Sequence, residues 1–220
     1  MTRRRFALAS IAAVLLLAAW PARARAAGTL PPPTGFVERP TTRATLDALR
    51  TGGFVLYLRH GHTDNTRPDR LPAVDVEECD TQRPLSEEGR RSAAAVGLAL
   101  RTAAIPIGDI HVSRLCRARD TAAAAFAGHT LLLEDLLIYT GNMTAAGKAP
   151  ILARTAALLS APVATGGNRV VVAHAPNIMD LIGYFPAEST LVVFRPRGGG
   201  RFEYLASIPW TLWPGLLAGR

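Results

Sequence analysis

Three apolar runs, each closed by charged or imidazole-bearing residues, organise this chain. They are GFVLYLRHGHT at 53–63, HVSRLCRARDTA at 111–122 and RVVVAHAPN at 169–177. Short apolar runs of this length, rich in β-branched residues, predict buried strands, and a longer repeat of apolar positions at helical spacing predicts helices. On that basis Thr41–Arg50 forms a short helix ended by Gly52-Gly53, and Phe54–Leu58 a strand. Ser86 caps a long helix to Thr102, with Glu87 and Glu88 in its first turn. A strand at 109–113, a helix at 115–126 and a strand at 130–137 follow; then a helix over Ala145–Ser160, a turn at 166–168 and a strand over Val170–Ala173. Strands at 190–195 and 201–206 flank Gly198-Gly199-Gly200 as a hairpin at the sheet edge. Strands alternating with helices predict an α/β fold, a three-layer sandwich around a mostly parallel sheet. The proline-bearing stretch 61–84 reads as a long loop near the site, of the kind that carries specificity.

The first 26 residues stand apart. Three arginines, an apolar run from Phe6 to Trp20 and the small-x-small triplet Ala24-Arg25-Ala26 describe a secretory signal peptide. An uncleaved anchor is the alternative, against which the run is short for a membrane span. Thr2-Arg3-Arg4-Arg5-Phe6 fits twin-arginine export as well as Sec export. Residues 27–40 then read as a proline-rich linker, surface-bound or mobile, and 41–220 as a single domain. The implied location is periplasmic or secreted, with no stable membrane span after signal removal.

Export changes the reading of charge and cysteine. The formal +8 includes five arginines of the signal (Arg3, Arg4, Arg5, Arg23, Arg25); removing them leaves 20 basic against 17 acidic residues, or +3. That gives no electrostatic case for nucleic acid. In an oxidising compartment Cys79 and Cys116 are expected to pair, two buried free thiols being the alternative; their spacing suggests no metal.

Two histidines and at least two arginines at three strand ends suit a phosphoryl group, because guanidinium forks bind its oxygens while a neutral imidazole attacks phosphorus. RHGxT (Arg59, His60, Gly61, Thr63), then SxxxRxxDTA (Ser113, Arg117, Asp120, Thr121, Ala122), then His174 on a late strand, resembles the histidine phosphatase superfamily, or phosphoglycerate mutase-like fold, over about 53–183. The resemblance implies His60 as nucleophile, forming a phosphohistidine that water hydrolyses. Arg59 and Arg117 would clamp the phosphoryl group and His174 would donate to its oxygens, with Thr63 and Ser113 adding hydroxyls. Thr121 reads as packing, Arg114 and Arg119 as surface charges, and Asn177 as a bond within the His174 loop. His62, at the variable position, reads equally as substrate contact and as solvent-exposed wall.

Cleaving an alkyl phosphate needs an acid for the leaving oxygen. One branch of the superfamily places an acid directly after the second histidine, where this chain has Ala175. The other uses a Glu after the SxxxR helix, for which Glu134 is the first choice, followed by Asp135, Asp64 and Glu188. Thr66 stands where the mutase branch commonly has Asn. The layout of an exported chain, Cys79 before Gln82-Arg83, Leu85-Ser86 and Gly89-Arg90, and Cys116 beside Arg117 is also similar to exported members, including the lipopolysaccharide core heptose phosphate phosphatase group. The expected function is an exported phosphomonoesterase acting on a small-molecule or a glycan- or lipid-linked phosphate ester, without cofactor or metal. A phosphoryl-ligand sensor and a phosphohistidine or phosphoramidate phosphatase are the alternatives.

Overall fold

A computed structural model describes residues 35–70 and 75–218. The segment expected to be a signal peptide, and the expected linker up to residue 34, lie outside the described residues. Six strands, β1 (Val55–Arg59), β2 (Ile107–Ser113), β3 (Leu132–Glu134), β4 (Asn168–Ala173), β5 (Leu191–Pro196) and β6 (Phe202–Ile208), form one sheet in the order β3-β2-β4-β1-β5-β6. The first four in that row are mutually parallel, and β5 and β6 run antiparallel as a hairpin at one edge.

Alternation along β1 sorts its side chains between two cores. Leu56 and Leu58 join Val170, Val172 and Val193 beneath α2 (Glu87–Thr102), α3 (Cys116–Ala125) and α6 (Trp213–Ala218). Val55 and Tyr57 join Val171, Val192 and Phe194 beneath α4 (Ala145–Ser160) and α5 (Ala175–Ile182). Both faces of the central strands are therefore covered, which is why β1 and β4 read as continuous apolar runs instead of alternating ones. Each such Val or Leu, fully buried, contributes about 1.5–3 kcal/mol by transfer from water. The short α1 (Arg43–Leu49) begins at Thr42, whose hydroxyl accepts from Thr45 N–H, and α2 begins at Ser86, which accepts from Gly89 N–H.

The chain enters the sheet at β1, crosses β4's future place to β2, moves outward to β3, and returns through α4 to insert β4 between β2 and β1. That reversal makes the carboxyl ends of β1, β4 and β2 a topological switch point, where open α/β sheets place ligands.

The structure departs from the sequence expectation in several places, the C-terminal helix α6 among them. The strand expected at 130–137 shrinks to Leu132–Glu134, and Asp135–Leu137 turn into a 3-10 helix; as the edge strand β3 has only β2 to hold it. Helix α5 was unforeseen, being eight residues long with Pro176 in its first turn and Gly183 ending it at φ +75°. The end of the linker is docked: Ser207 N–H donates to Arg39 O, and Phe36 stacks on Tyr184 at 4.4 Å.

Candidate active site

Register assembles the site. Arg59 pairs with Ala173 across β1 and β4, so His60 and His174 follow side by side, their ring centroids 5.2 Å apart. Val112 pairs with Val172, which brings Ser113 beside them. The RHG turn is pressed against the start of α2: a Cβ on Gly61 would lie 2.6 Å from Gly89 O, and one on Gly89 would lie 2.1 Å from His62 O. Only glycine fits at either position. From the other side Thr121 Oγ1 accepts from Gly61 N–H at 2.9 Å and donates to Arg117 O, tying α3 to the same turn. Thr121, read as packing, thus joins two motifs.

His60 is 2% exposed, and its Nδ1–H donates to Gly61 O at 2.9 Å. The proton is thereby fixed on Nδ1 and the Nε2 lone pair is left for attack. Burial pushes its pKa well below the ordinary value, and Arg117 and Arg59 push it further down, so the ring is neutral. His174 is likewise held neutral by burial and by Arg117 and His60. Its backbone is clamped by Tyr57, whose hydroxyl accepts from His174 N–H and donates to His174 O.

Ser113 does not offer its hydroxyl to a ligand. Its Oγ lies 2.9 Å from His174 Nε2 and is wholly buried. A hydroxyl donating there leaves the ring proton on Nδ1, and Nδ1 is buried without a partner. Ser113→Ala is therefore expected to cost about tenfold in turnover, as positioning groups around a catalytic imidazole do, with a much smaller loss of phosphate affinity. Steady-state kinetics beside vanadate titration checks this.

The cations converge on the same point. Arg117 is 1% exposed, donates Nη1 to Asp69 at 3.0 Å, and sits over the Tyr139 ring. Arg59 donates Nη1 to Pro186 O, lies 3.7 Å from Glu188 through Nη2, and sits over Phe185. A third arginine was missed: Arg83 depresses both histidines and both arginines through its charge, so it belongs to the cluster. The sequence carried it only within the Gln82-Arg83, Leu85-Ser86 layout, which gave it no role in the site. The Nε–H groups of Arg59, Arg83 and Arg117 and Nδ1 of His174 are all buried without a partner. These four nitrogens belong to residues whose charges act on one another and on His60, and buried polar groups are otherwise satisfied, so the cluster suits an anion. Among the described residues no group of acids, histidines or cysteines could hold a metal.

The carboxylates sort differently from the sequence reading. Glu134 is turned to His111 Nδ1 at 2.6 Å and to Arg154 Nε at 3.0 Å. Burial opposes its ionisation, but the bonds from Arg154 and His111 prevail and hold it below the usual carboxylate range. A general acid needs the opposite bias. Asp135 is mostly exposed and pairs with Arg114, and Asp64 is held ionised by the hydroxyl and N–H of Thr66. Glu188, last of the four, accepts from Thr63 Oγ1 at 3.0 Å. Thr63, expected to serve phosphate, is thus engaged with Glu188. These two residues, with His62, line a cavity of about 580 Å³ beside the site. His62 stands 4.0 Å from Glu88, and Asn177, expected to bond within the His174 loop, instead donates Nδ2 to Ile138 O and so ties α5 to the segment after β3.

The loop after the RHG turn is fastened to α3 by the Cys79–Cys116 disulfide, with Cα atoms 5.6 Å apart, and Cys116 N–H donates to Gln82 Oε1. The bridge closes 37 residues of sequence separation, which in the chain-entropy model stabilises by about 4 kcal/mol. Denaturant unfolding of the Cys79→Ser, Cys116→Ser double variant should show a loss of that order.

The depressed histidines set an acid limit on stability. Unfolded, His60 and His174 protonate near their ordinary value of about 6.5; folded, they stay neutral well below it. The unfolded chain then binds more protons, so stability is full above about pH 6.5 and falls as pH drops, by about 1.4 kcal/mol per pH unit for each histidine. Thermal midpoints measured downward from pH 7.5, in His60→Ala as well as in the native chain, check the sign and the slope.

Residues 55–137 match the family model of the histidine phosphatase superfamily (branch 1). Alpha-ribazole phosphatase from Shigella flexneri shares the fold at TM-score 0.52 and 14% identity, over 70% of this chain and 95% of that one. A mutant phosphoserine phosphatase from Entamoeba histolytica, in complex with phosphoserine, does so at TM-score 0.50 and 15% identity, again over 70% and 95%. No curated protein matches the chain by sequence.

Proposed function

We propose that the chain is a member of the histidine phosphatase superfamily, whose model it matches over residues 55–137, and that it is a phosphomonoesterase working through a phosphohistidine on His60. The observation that carries the reading is the neutral His60, its Nδ1–H spent on Gly61 O, set among four buried donors without partners. Nε2 attacks phosphorus while the arginine Nε–H groups and His174 Nδ1–H take up the oxygens as charge develops on them. No charged group must be created to start the reaction, and the donors are fixed in place by Asp69, Pro186, Ser113 and Tyr57 before substrate arrives. The superfamily neighbours named as acting on alpha-ribazole phosphate and phosphoserine support a phosphate monoester as substrate. The cavity beside Thr63, lined chiefly by polar residues, leaves room for a hydrophilic alcohol, small or glycan- or lipid-linked.

Export belongs to the same reading and is supported by the arginine-led apolar N-terminus and by the disulfide. A mature N-terminus at Ala27 on protein recovered from the periplasm or medium is the expected result; a chain retaining Met1 in the cytoplasm contradicts it.

Phosphate release from p-nitrophenyl phosphate by the oxidised mature protein, with and without chelator, tests the activity. Chelator-insensitive turnover that persists through purification supports it. A folded protein that binds vanadate but turns over neither an aryl phosphate nor a phosphoramidate is a sensor instead.

A further inference from the structure

We propose that Glu188 is the general acid, giving a proton to the leaving alcohol as His60 takes the phosphoryl group. The inference rests on the phosphatase reading above. Of the four carboxylates marked in the sequence, Glu188 alone reaches the phosphate-binding set: its Oε1 lies 3.7 Å from Arg59 Nη2 on one side and 3.0 Å from Thr63 Oγ1 on the other. With Thr63 it also lines the 580 Å³ cavity, so it stands between the arginine that binds phosphate and the room available to the alcohol. Asp69, the other carboxylate on a site arginine, is occupied: its Oδ1 accepts from both Arg117 Nη1 and Arg83 N–H, and so anchors the loop.

The backbone behind Glu188 is built to hold it there. Ser189 adopts φ +58°, a left-handed conformation that costs a non-glycine residue about 1–3 kcal/mol and that persists at functional sites when the surroundings enforce it. Here they do. Ser189 N–H donates to His60 O at 3.1 Å, its hydroxyl pairs with Ser92 Oγ at 2.7 Å, and Arg59 N–H donates to Thr190 O. The turn that carries Glu188 is thus bonded to the backbone of the nucleophile itself. A phosphate ester that engages Arg59 therefore arrives beside the Glu188 carboxyl.

In the first step the His60 Nε2–P bond forms, the P–O bond to the alcohol breaks, and the Glu188 proton passes to that oxygen. In the second, water attacks phosphorus, the N–P bond breaks, and the water's proton returns to the Glu188 carboxylate, restoring both groups.

Single-turnover release of alcohol by Glu188→Gln tests the first step alone, with p-nitrophenyl phosphate as the good leaving group and benzyl phosphate as the poor one. The expected result is a loss of about 10²-fold or more with benzyl phosphate and a much smaller loss with p-nitrophenyl phosphate. Vanadate should bind at least as tightly as to the native chain, which also shows the variant folded. Glu188→Asp should recover part of the benzyl rate. Equal slowing with both esters, or none with either, overturns the assignment while leaving the phosphatase reading intact. A native chain inert toward both esters overturns the phosphatase reading and this inference with it.

Discussion

His60→Ala is expected to abolish turnover, by about 10⁴-fold or more on an aryl phosphate, while leaving the fold and much of the anion affinity in place. Removing a nucleophile takes away the covalent route itself, and what remains is the modest acceleration that a prearranged set of donors supplies. Those donors are independent of the imidazole: Arg117 is anchored by Asp69, Arg59 by Pro186 O, and His174 by Ser113 and Tyr57. The substitution opens a small buried space but also removes a histidine whose protonation opposes folding in acid. Its stability should therefore fall less steeply below pH 6.5 than that of the native chain. Kinetics with vanadate titration and a pH series of unfolding midpoints separate these effects.

Arg117→Ala should be the second most damaging change, and it should damage stability as well. The guanidinium is 1% exposed, paired with Asp69 and set over Tyr139. Truncating one partner of a buried ion pair leaves the other charge uncompensated and costs about 3–5 kcal/mol; Asp69, part-exposed, recovers some of that from water. Phosphoryl binding loses a charge-assisted donor within a water-poor site, for which about 10²–10³-fold in kcat/KM is the expected scale. Arg117→Lys should restore the charge without the fork and recover only part of the rate. Urea unfolding and steady-state kinetics on the two variants give both numbers. An Arg117→Ala protein with native kcat/KM would remove this residue from the site.

What was legible in the sequence was whatever a strand end carries. Apolar runs of β1, β2 and β4 close on Arg59-His60, Ser113 and His174, and parallel pairing brings their ends together, so the neighbourhood of His60, Arg117 and His174 could be read in order along the chain. The disulfide was legible too, because the expectation of export made pairing the default for two cysteines. What was not legible depends on direction. Glu134 sits in register with Ser113, yet His111 and Arg154 draw its carboxylate aside. Ser113 lies where a phosphate ligand would, but its hydroxyl is consumed by His174. Arg83 and Glu188 reach the site from loops whose paths follow from bonds such as Arg83 N–H to Asp69 and Ser189 N–H to His60 O, which no local pattern announces. Helix α5 escaped because eight residues with a proline in the first turn resemble a turn as much as a helix.

The central claim is the covalent phosphohistidine, and its most direct test is rapid quench into base, where phosphohistidine survives, followed by mass spectrometry of the protein and its peptides. After mixing with p-nitrophenyl phosphate the account predicts a single phosphoryl adduct on His60, formed with the burst of p-nitrophenol and decaying at the turnover rate. No adduct at any time in a protein that is turning over substrate, or an adduct on another residue, would contradict it.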